Sequence, residues 1–222
     1  MSDDQLSNLI SRFISEEIDK VNSFLIPVSL SGRHAHLNID DFHQLFGSDY
    51  EMHPIEDLSQ PGQYACDETV DLIGPKRAIY GVRVLGPSRK ESQVEISRSD
   101  GYVLGINPPV RQSGDIEDTP GIHIIGSRGA IELKRGVIVA ARHIHMSPDQ
   151  AEKFGVSDKQ MIAVSFPGKR AGILDEVMVR VNPKYSLDMH LDTDEGNALG
   201  LKNGDLGKIL TSYNRRIYPS IR

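Results

Sequence analysis

Hydrophobic and polar residues alternate along most of the chain after residue 25, which is the spacing of half-buried β-strands. Glycine, proline, asparagine or aspartate separates most of the alternating segments. Apolar residues at helical spacing are confined there to three short segments, at residues 39–46, 148–154 and 194–199. Many short strands with little helix favour a mainly β fold built from barrels or sandwiches. The predicted strands are residues 26–31, 69–74, 79–86, 92–97, 121–127, 130–145, 161–168, 171–181, 186–193 and 206–210.

The segment at residues 5–22 has a different pattern, in which apolar side chains recur every three or four positions. This spacing predicts an amphipathic α-helix, which Pro27 separates from the body of the chain. Two interpretations stay open from the residues alone: the helix packs on its own domain, or its apolar face binds another protein. The apolar residues are Leu6, Leu9, Ile10, Phe13, Ile14, Ile18 and Val21.

The composition is that of a globular protein, and it excludes several classes of function. The 222 residues carry a formal net charge of −6, whereas a nucleic-acid partner requires a basic face. No apolar segment is long enough for a membrane span, and the first residues lack the layout of a secretory signal. Cys66 is the only cysteine, so no intramolecular disulfide can form and we expect a cytoplasmic protein.

One short pattern occurs twice, since Arg-His-x-His stands at residues 33–36 and again at residues 142–145. Each copy is followed by an apolar residue, a helix-capping residue and a short segment that ends in Phe-Gly. After the second copy, Ser147, Pro148 and Gln150 form a typical helix start. Each copy therefore predicts a strand, a cap and a short helix, and the repetition predicts two related barrels.

The paired histidines are candidate metal ligands. Residues i and i+2 of a strand point to the same face, so each His-x-His presents two imidazoles side by side, which suits a divalent metal such as zinc. His190 and Glu95 lie on the polar faces of alternating strands and are candidates for further ligands, although solvated surface residues show the same pattern. We interpret the remaining histidines as structural: His43, His53 and His123.

The residues around the histidines exclude two common metal-site patterns. A cupin needs a glutamate three or four residues after each pair, and a binuclear hydrolase needs His-x-His-x-Asp-His; neither copy has them. Arg33 and Arg142 precede the pairs and, on a strand, face away from them. Arg89 follows a Gly-Pro turn just before the predicted strand of Glu95. An arginine there can bind phosphate through two hydrogen bonds, although a loop arginine is more often simply solvated.

Six longer motifs resemble those of the PduL-type phosphate acyltransferases, the phosphotransacylases of bacterial microcompartments that process propanediol and related substrates. The resemblance runs from about residue 27 to residue 210, and its specificity comes from several long motifs in the same order. Gly32 and the tail after residue 210 depart from the family's pattern without touching the candidate ligands. In chain order the motifs are SGRHAHL, QPGQYACDETVDLIGPK, RVLGPSRKESQVEISRSD, TPGIHI, GVIVAARHIHMSP and DMHLDTDEGNA.

The resemblance implies two β-barrels capped by short α-helices and preceded by the amphipathic helix, with the active site between the barrels. It also favours the second interpretation of the helix, as an encapsulation peptide that binds microcompartment shell proteins. By range, the implied parts are the helix at residues 1–22, a first barrel at residues 23–32 and 141–210, a second barrel at residues 33–140 with a small insertion near residues 47–67, and a tail at residues 211–222.

The resemblance also implies a reaction, in which a short-chain acyl-CoA (propanoyl-CoA or acetyl-CoA) and phosphate interconvert with acyl phosphate and coenzyme A. Zinc binds sulfur and polarises carbonyl groups, and Arg89 would fix the phosphate for its attack on the acyl carbon. No side-chain nucleophile such as Cys66 is then needed. The implied roles are His34 and His36 for one zinc ion, His143, His145 and His190 for another, Glu95 as a bridge, and Arg89 for phosphate.

Two other classes of function stay open at this point. A binuclear zinc hydrolase such as a thioesterase would use water instead of phosphate, and a non-catalytic microcompartment scaffold would hold closed metal sites. For the leading interpretation we expect acyl-CoA and phosphate as partners, shell proteins as partners of residues 5–22, and a homo-oligomer. We expect the protein to lie in the cytoplasm, inside a bacterial microcompartment.

Overall fold

The computed structural model describes residues 24–210. The helix predicted at residues 5–22 and the tail at residues 211–222 lie outside the described residues. The described helices are α1 (Ile39–Phe46), α2 (Arg98–Leu104), α3 (Pro148–Phe154) and α4 (Thr193–Leu199). The described strands are β1 (Leu25–Ser31), β2 (His34–His36), β3 (Pro54–Asp57), β4 (Tyr64–Ile73), β5 (Ala78–Gly86), β6 (Gln93–Glu95), β7 (Val110–Arg111), β8 (Ile122–Ile125), β9 (Ala130–Leu133), β10 (Val137–Ala140), β11 (His143–Met146), β12 (Met161–Phe166), β13 (Gly172–Val181), β14 (Asp188–Asp192) and β15 (Leu206–Leu210).

Six strands close into a barrel in the order β1-β14-β11-β13-β12-β15. Strand β1 joins the later strands by pairing parallel to β14 and antiparallel to β15. Alternate side chains of β11 and β14 fill the interior of the barrel, among them Ile144, Met146 and Met189. Because successive side chains of a strand point to opposite faces, the histidines between these residues point out of the barrel.

The other strands form a nine-stranded sheet, which is a half-barrel, in the order β7-β10-β6-β2-β5-β4-β8-β9, with β3 on β4. Its core contains Ala35 and Val94 from the short strands β2 and β6, together with Phe42 and Leu45 from α1. Here too the polar residues of β2 and β6 alternate with the buried ones. The fold is thus mainly β, with a closed barrel and a half-barrel, while the domain ranges given above stay a prediction.

The predicted elements match the described ones closely, and the differences have local causes. The predicted strand at residues 130–145 is three strands, and the break between β9 and β10 contains Gly136, which turns the chain with a φ of 121°. A side chain at Gly136 would also place its Cβ 2.8 Å from the carbonyl oxygen of Ser92. Helix α2 was not predicted, since its seven residues include Gly101 and few apolar positions. Within residues 24–210, no helix has the length and apolar character that a bilayer crossing requires.

Candidate active site

Two groups of three potential metal ligands stand out within residues 24–210. In each group the nitrogen or oxygen atoms that could bind an ion lie within 4.8 Å of one another. These groups contain all six residues that the sequence suggested as ligands, and Glu95 belongs to the first group. The first cluster comprises His34, His36 and Glu95, and the second cluster comprises His143, His145 and His190.

Strand pairing explains why a third ligand joins each histidine pair. Strand β2 runs antiparallel to β6, and this register sets His34 opposite Glu95. Strand β11 runs antiparallel to β14, and this register sets His143 opposite His190. Directly opposed residues of an antiparallel pair have neighbouring side chains on one face, so the third ligand is fixed by the register of the ladder.

Every strand that carries ligands leads into a helix whose N-cap stands two residues after a ligand. The four N-cap residues share an extended backbone, with φ between −77° and −73° and ψ between 163° and 171°. Each N-cap side chain accepts a hydrogen bond from the third residue of its helix, which ends the ladder at a defined point. The caps are Asn38 for α1, Ser97 for α2, Ser147 for α3 and Asp192 for α4.

The two clusters line a single cavity of about 540 Å³. Strands of both the barrel and the half-barrel contribute to its wall, and so does the hairpin of β3 and β4. Ser59 in this hairpin lies 3.3 Å from Nε2 of His190. Arg89, Arg180 and Tyr185 also face the cavity. The arrangement gives a small molecule access to both clusters at once.

In the first cluster an anionic carboxylate faces two imidazoles. The Nε2 atoms of His34 and His36 lie 3.5 and 3.9 Å from the oxygens of Glu95. Burial opposes the charged form of Glu95, but the adjacent His34 and His36 hold the pKa of Glu95 well below its ordinary value. Burial also opposes the charged form of His34, yet the carboxylate raises the pKa of His34. For His36, burial and the charge of His34 lower the pKa to about 3.

In the second cluster all three ligands are imidazoles. Nε2 of His143 lies 3.0 Å from Nε2 of His145, and both rings contact the ring of His190. Burial, together with the neighbouring His190, lowers the pKa of His143 to about 4. Burial and the charges of the two other histidines lower the pKa of His145 to about 2. The rings of His143 and His145 are therefore neutral near pH 7, as metal coordination requires.

The hydrogen bonds of the rings fit a cation in each cluster. The Nδ1 atoms of His34 and His143 lie 2.8 Å from the carbonyl oxygens of Gly32 and Ala141, which can only accept, so each Nδ1 carries the hydrogen. In the neutral form of each ring, the lone pair of Nε2 then points into its cluster. In addition, Nδ1 of His145 is buried without a hydrogen-bond partner. Three nitrogen or oxygen ligands with an open fourth position suit zinc.

A hydrogen-bonded network connects Arg89 to the first cluster. Nη1 of Arg89 donates to Oγ of Ser113 at 2.9 Å, and this hydroxyl donates to Oε1 of Glu95 at 2.7 Å. Nε2 of Gln93 donates to the same carboxylate oxygen at 2.6 Å. Burial lowers the pKa of Arg89 from 12.5, although a guanidinium in a protein keeps its charge. Arg89, which the sequence predicts to bind phosphate, is thus a half-buried cation beside the first cluster.

Several residues that line the cavity were not predicted from the sequence, among them Arg180 and Ser113. Arg180 stands opposite His145 in the parallel pair of β11 and β13, and it faces the cavity with its guanidinium 5.9 Å from the Tyr185 ring. The alternating pattern of β13 could have indicated Arg180, because Val177 and Val179 fill the barrel core and Arg180 lies on the opposite face of the strand. Ser113 lies in a loop, and no local pattern indicates its position.

The structure also locates the other residues that were considered as site residues from the sequence. Oδ2 of Asp188 lies 3.0 Å from Nε2 of His190, so this carboxylate can orient the ring, whereas Asp192 caps α4. His43, His53 and His123 do not line the cavity. Nδ1 of His53 instead lies 2.6 Å from Glu68. Cys66 is in the core of the half-barrel, where burial raises its pKa to about 11, so it is not a nucleophile of the site.

Comparison with known proteins gives one consistent result. The family model of phosphate propanoyltransferase matches residues 27–202. A phosphate propanoyltransferase of Thermotoga maritima is 54% identical over 182 residues, which are 82% of this chain and 87% of the relative. Another, from Clostridioides difficile, is 46% identical over 206 residues, 92% of this chain and 99% of the relative. One from Alkaliphilus metalliredigens is 47% identical over 212 residues, 95% of this chain and 100% of the relative.

These matches define an acyl-transferring enzyme with phosphate as one partner, and the fold and the cavity are compatible with it. The chain belongs to the phosphate propanoyltransferase family. It is therefore a phosphate acyltransferase, and the resemblance noted in its motifs is confirmed.

Proposed function

We propose that this enzyme interconverts a short-chain acyl-CoA (propanoyl-CoA or acetyl-CoA) and phosphate with acyl phosphate and coenzyme A, and that it requires two zinc ions. The observation that supports this most is the pair of three-ligand clusters on one cavity with the Arg89 guanidinium beside them. His34, His36 and Glu95 would hold one ion, and His143, His145 and His190 the other. Zinc in such sites supplies a Lewis acid that stabilises a thiolate or a developing oxyanion.

The chain's own residues are suited to positioning the phosphate. Arg89 is oriented by Ser113 and can form two parallel hydrogen bonds with phosphate oxygens. Arg180 adds a second positive charge to the same cavity. A third phosphate oxygen would attack the acyl carbon, forming a C–O bond as the C–S bond breaks and sulfur leaves with the electron pair. Holding the phosphate in place converts a two-body encounter into a positioned attack.

The cellular setting belongs to the same proposal. We infer a cytoplasmic enzyme inside a bacterial microcompartment, with residues 5–22 as the segment that binds shell proteins. A homo-oligomer is part of the proposal as well. Co-expression with shell proteins, with and without residues 1–22, tests the targeting; equal incorporation of both forms would contradict it.

The direct test of the proposed function is release of the CoA thiol from propanoyl-CoA and acetyl-CoA, with and without phosphate. We expect release that depends on phosphate, is lost after removal of zinc by a chelator, and returns when zinc is added back. Hydrolysis without phosphate would instead indicate a thioesterase. Full activity in protein verified to be free of metal would contradict the role of zinc.

A further inference from the structure

The arginine of each Arg-His-x-His pattern reaches an acidic residue of a helix instead of its neighbouring histidines. Nη2 of Arg33 lies 2.8 Å from Oδ1 of Asp100 in α2. Nε of Arg142 lies 2.9 Å from Oε1 of Glu195 in α4. The Asp100 side chain is 7% exposed and that of Glu195 is 20% exposed, so neither pair is a fully solvated surface contact.

The second oxygen of each acid is used inside the helix cap. Oδ2 of Asp100 accepts from the backbone N–H of Ser97 at 3.2 Å, and Oε2 of Glu195 accepts from the backbone N–H of Asp192 at 3.3 Å. Each acid is therefore the third residue of a capping box and the partner of an arginine at once. One carboxylate thereby ties the arginine to the first turn of the helix.

Both helices follow directly on the third ligand of a cluster, with the same spacing. Glu95 precedes the cap Ser97 by two residues and Asp100 by five. His190 precedes the cap Asp192 by two residues and Glu195 by five. The spacing from the third ligand to the N-cap residue and to the acidic residue is thus identical in the two clusters.

We propose that Arg142 and Arg33 are positioning residues, which fix the third metal ligand of each cluster relative to its histidine pair. The proposal rests on the proposed metal function of the clusters. The ladders between ligand strands are short, three residue pairs in each case, so small slips would displace Glu95 or His190. Each arginine lies one residue before the first histidine of its pair, and it forms an ion pair with the helix that starts just after the third ligand. This ion pair connects the two segments at the end where the pairing between their strands stops.

Arg142 gives the cleaner test, because Arg33 lines the cavity and would also affect substrate directly. Glu195→Gln is the matching change on the other side, since Gln150 closes the capping box of α3 as an uncharged residue. Zinc binding to metal-free protein is measured for both sites by competition with a chromophoric chelator, without substrate. We expect Arg142→Ala and Glu195→Gln to weaken one of the two sites about tenfold, and Arg142→Lys to recover part of the loss.

Arg170→Ala is the control, because its Nε donates to the carbonyl oxygen of Ala198 at the other end of α4. It should leave both zinc affinities unchanged. The melting temperature of the metal-free Arg142 and Glu195 variants should fall by no more than about 4 °C, the range of a modest ion pair. A loss of zinc affinity without a matching loss of stability is a result that a merely structural role does not give.

Other results distinguish the positioning role of Arg142 from the metal function of the clusters. If the parent protein binds two zinc ions and both variants bind them with unchanged affinity, the positioning role is wrong and the metal clusters stand. If Arg170→Ala weakens zinc as much as Arg142→Ala, the effect is general helix stability and the positioning role is again wrong. If the parent protein binds no zinc, the proposed metal function fails, and the positioning role fails with it.

Discussion

The substitution Ser113→Ala tests whether Arg89, the proposed phosphate-binding residue, depends on its hydrogen-bonded connection to the first cluster. The Ser113 hydroxyl accepts from Arg89 at 2.9 Å and from Gln93 at 3.0 Å, and it donates to Glu95 at 2.7 Å. A hydrogen bond to a charged group contributes about 1.5–3 kcal/mol, which corresponds to about a 10- to 150-fold change in rate or binding. Ser113 is half-buried, so water can replace part of the loss, and we expect the lower end of this range.

The assay for Ser113→Ala is CoA release from propanoyl-CoA at varied phosphate concentration, with zinc affinity measured in parallel. We expect the phosphate KM to rise about tenfold, because Arg89 loses the group that orients it. Zinc at the first cluster should also bind more weakly, because Glu95 loses one of its donors. Ser165→Ala is the control, since this hydroxyl contacts the Lys208 carbonyl on the barrel and does not line the cavity. Unchanged phosphate KM and zinc affinity in Ser113→Ala would refute the reasoning.

Three further predictions concern single residues. Arg89→Ala should raise the phosphate KM about 100-fold, as expected for loss of a charge-assisted bidentate contact, while zinc content stays near two ions per chain; an unchanged KM would remove Arg89 from its role. His145→Ala should reduce zinc by about one ion per chain in elemental analysis, and full occupancy would count against the second cluster. Burial opposes ionisation of Glu68, but hydrogen bonds from His53 lower its pKa below 4.5, so its stabilising effect is present above pH 4.5 and fades below it. Glu68→Gln should therefore cost about 1–3 kcal/mol in urea unfolding at pH 7 and much less at pH 3; a pH-independent cost would contradict this account.

The strands and helices could be predicted because their signals are local. Alternation located most strands, and capping residues located the helix that begins at Pro148. Strands β3 and β7 were missed, since β3 is exposed along its whole length and β7 has only two residues. Helix α2 was missed because its apolar face is short. The closure of the barrel through β1 depends on pairs between distant segments, which no local pattern contains.

The site was predictable to a similar depth. The two His-x-His pairs follow from strand geometry alone, since residues i and i+2 share a face. Glu95 and His190 were only candidates from alternation, and they became specific through the family resemblance. Ser113 was out of reach, because its position depends on how a loop folds over β6. The alternation in β13 predicts that Arg180 faces away from the barrel core. Its place beside the second cluster follows only from the register of β13 with β11, which sets Arg180 opposite His145.

The repeated spacing explains what the alternation alone could not decide. A polar residue on a half-exposed strand is ordinary. A polar residue that precedes an N-cap residue by two positions and a carboxylate by five, however, lies where the pairing of its strand ends. Its backbone is then held by neighbouring strand hydrogen bonds on one side and by a capping box on the other. Such a side chain has little freedom to move, which is what a metal ligand needs. Within residues 24–210, the two segments with this spacing and an arginine partner are those that supply Glu95 and His190. The position of each proposed third ligand is therefore encoded by the helix start that follows it as much as by the strand that carries it.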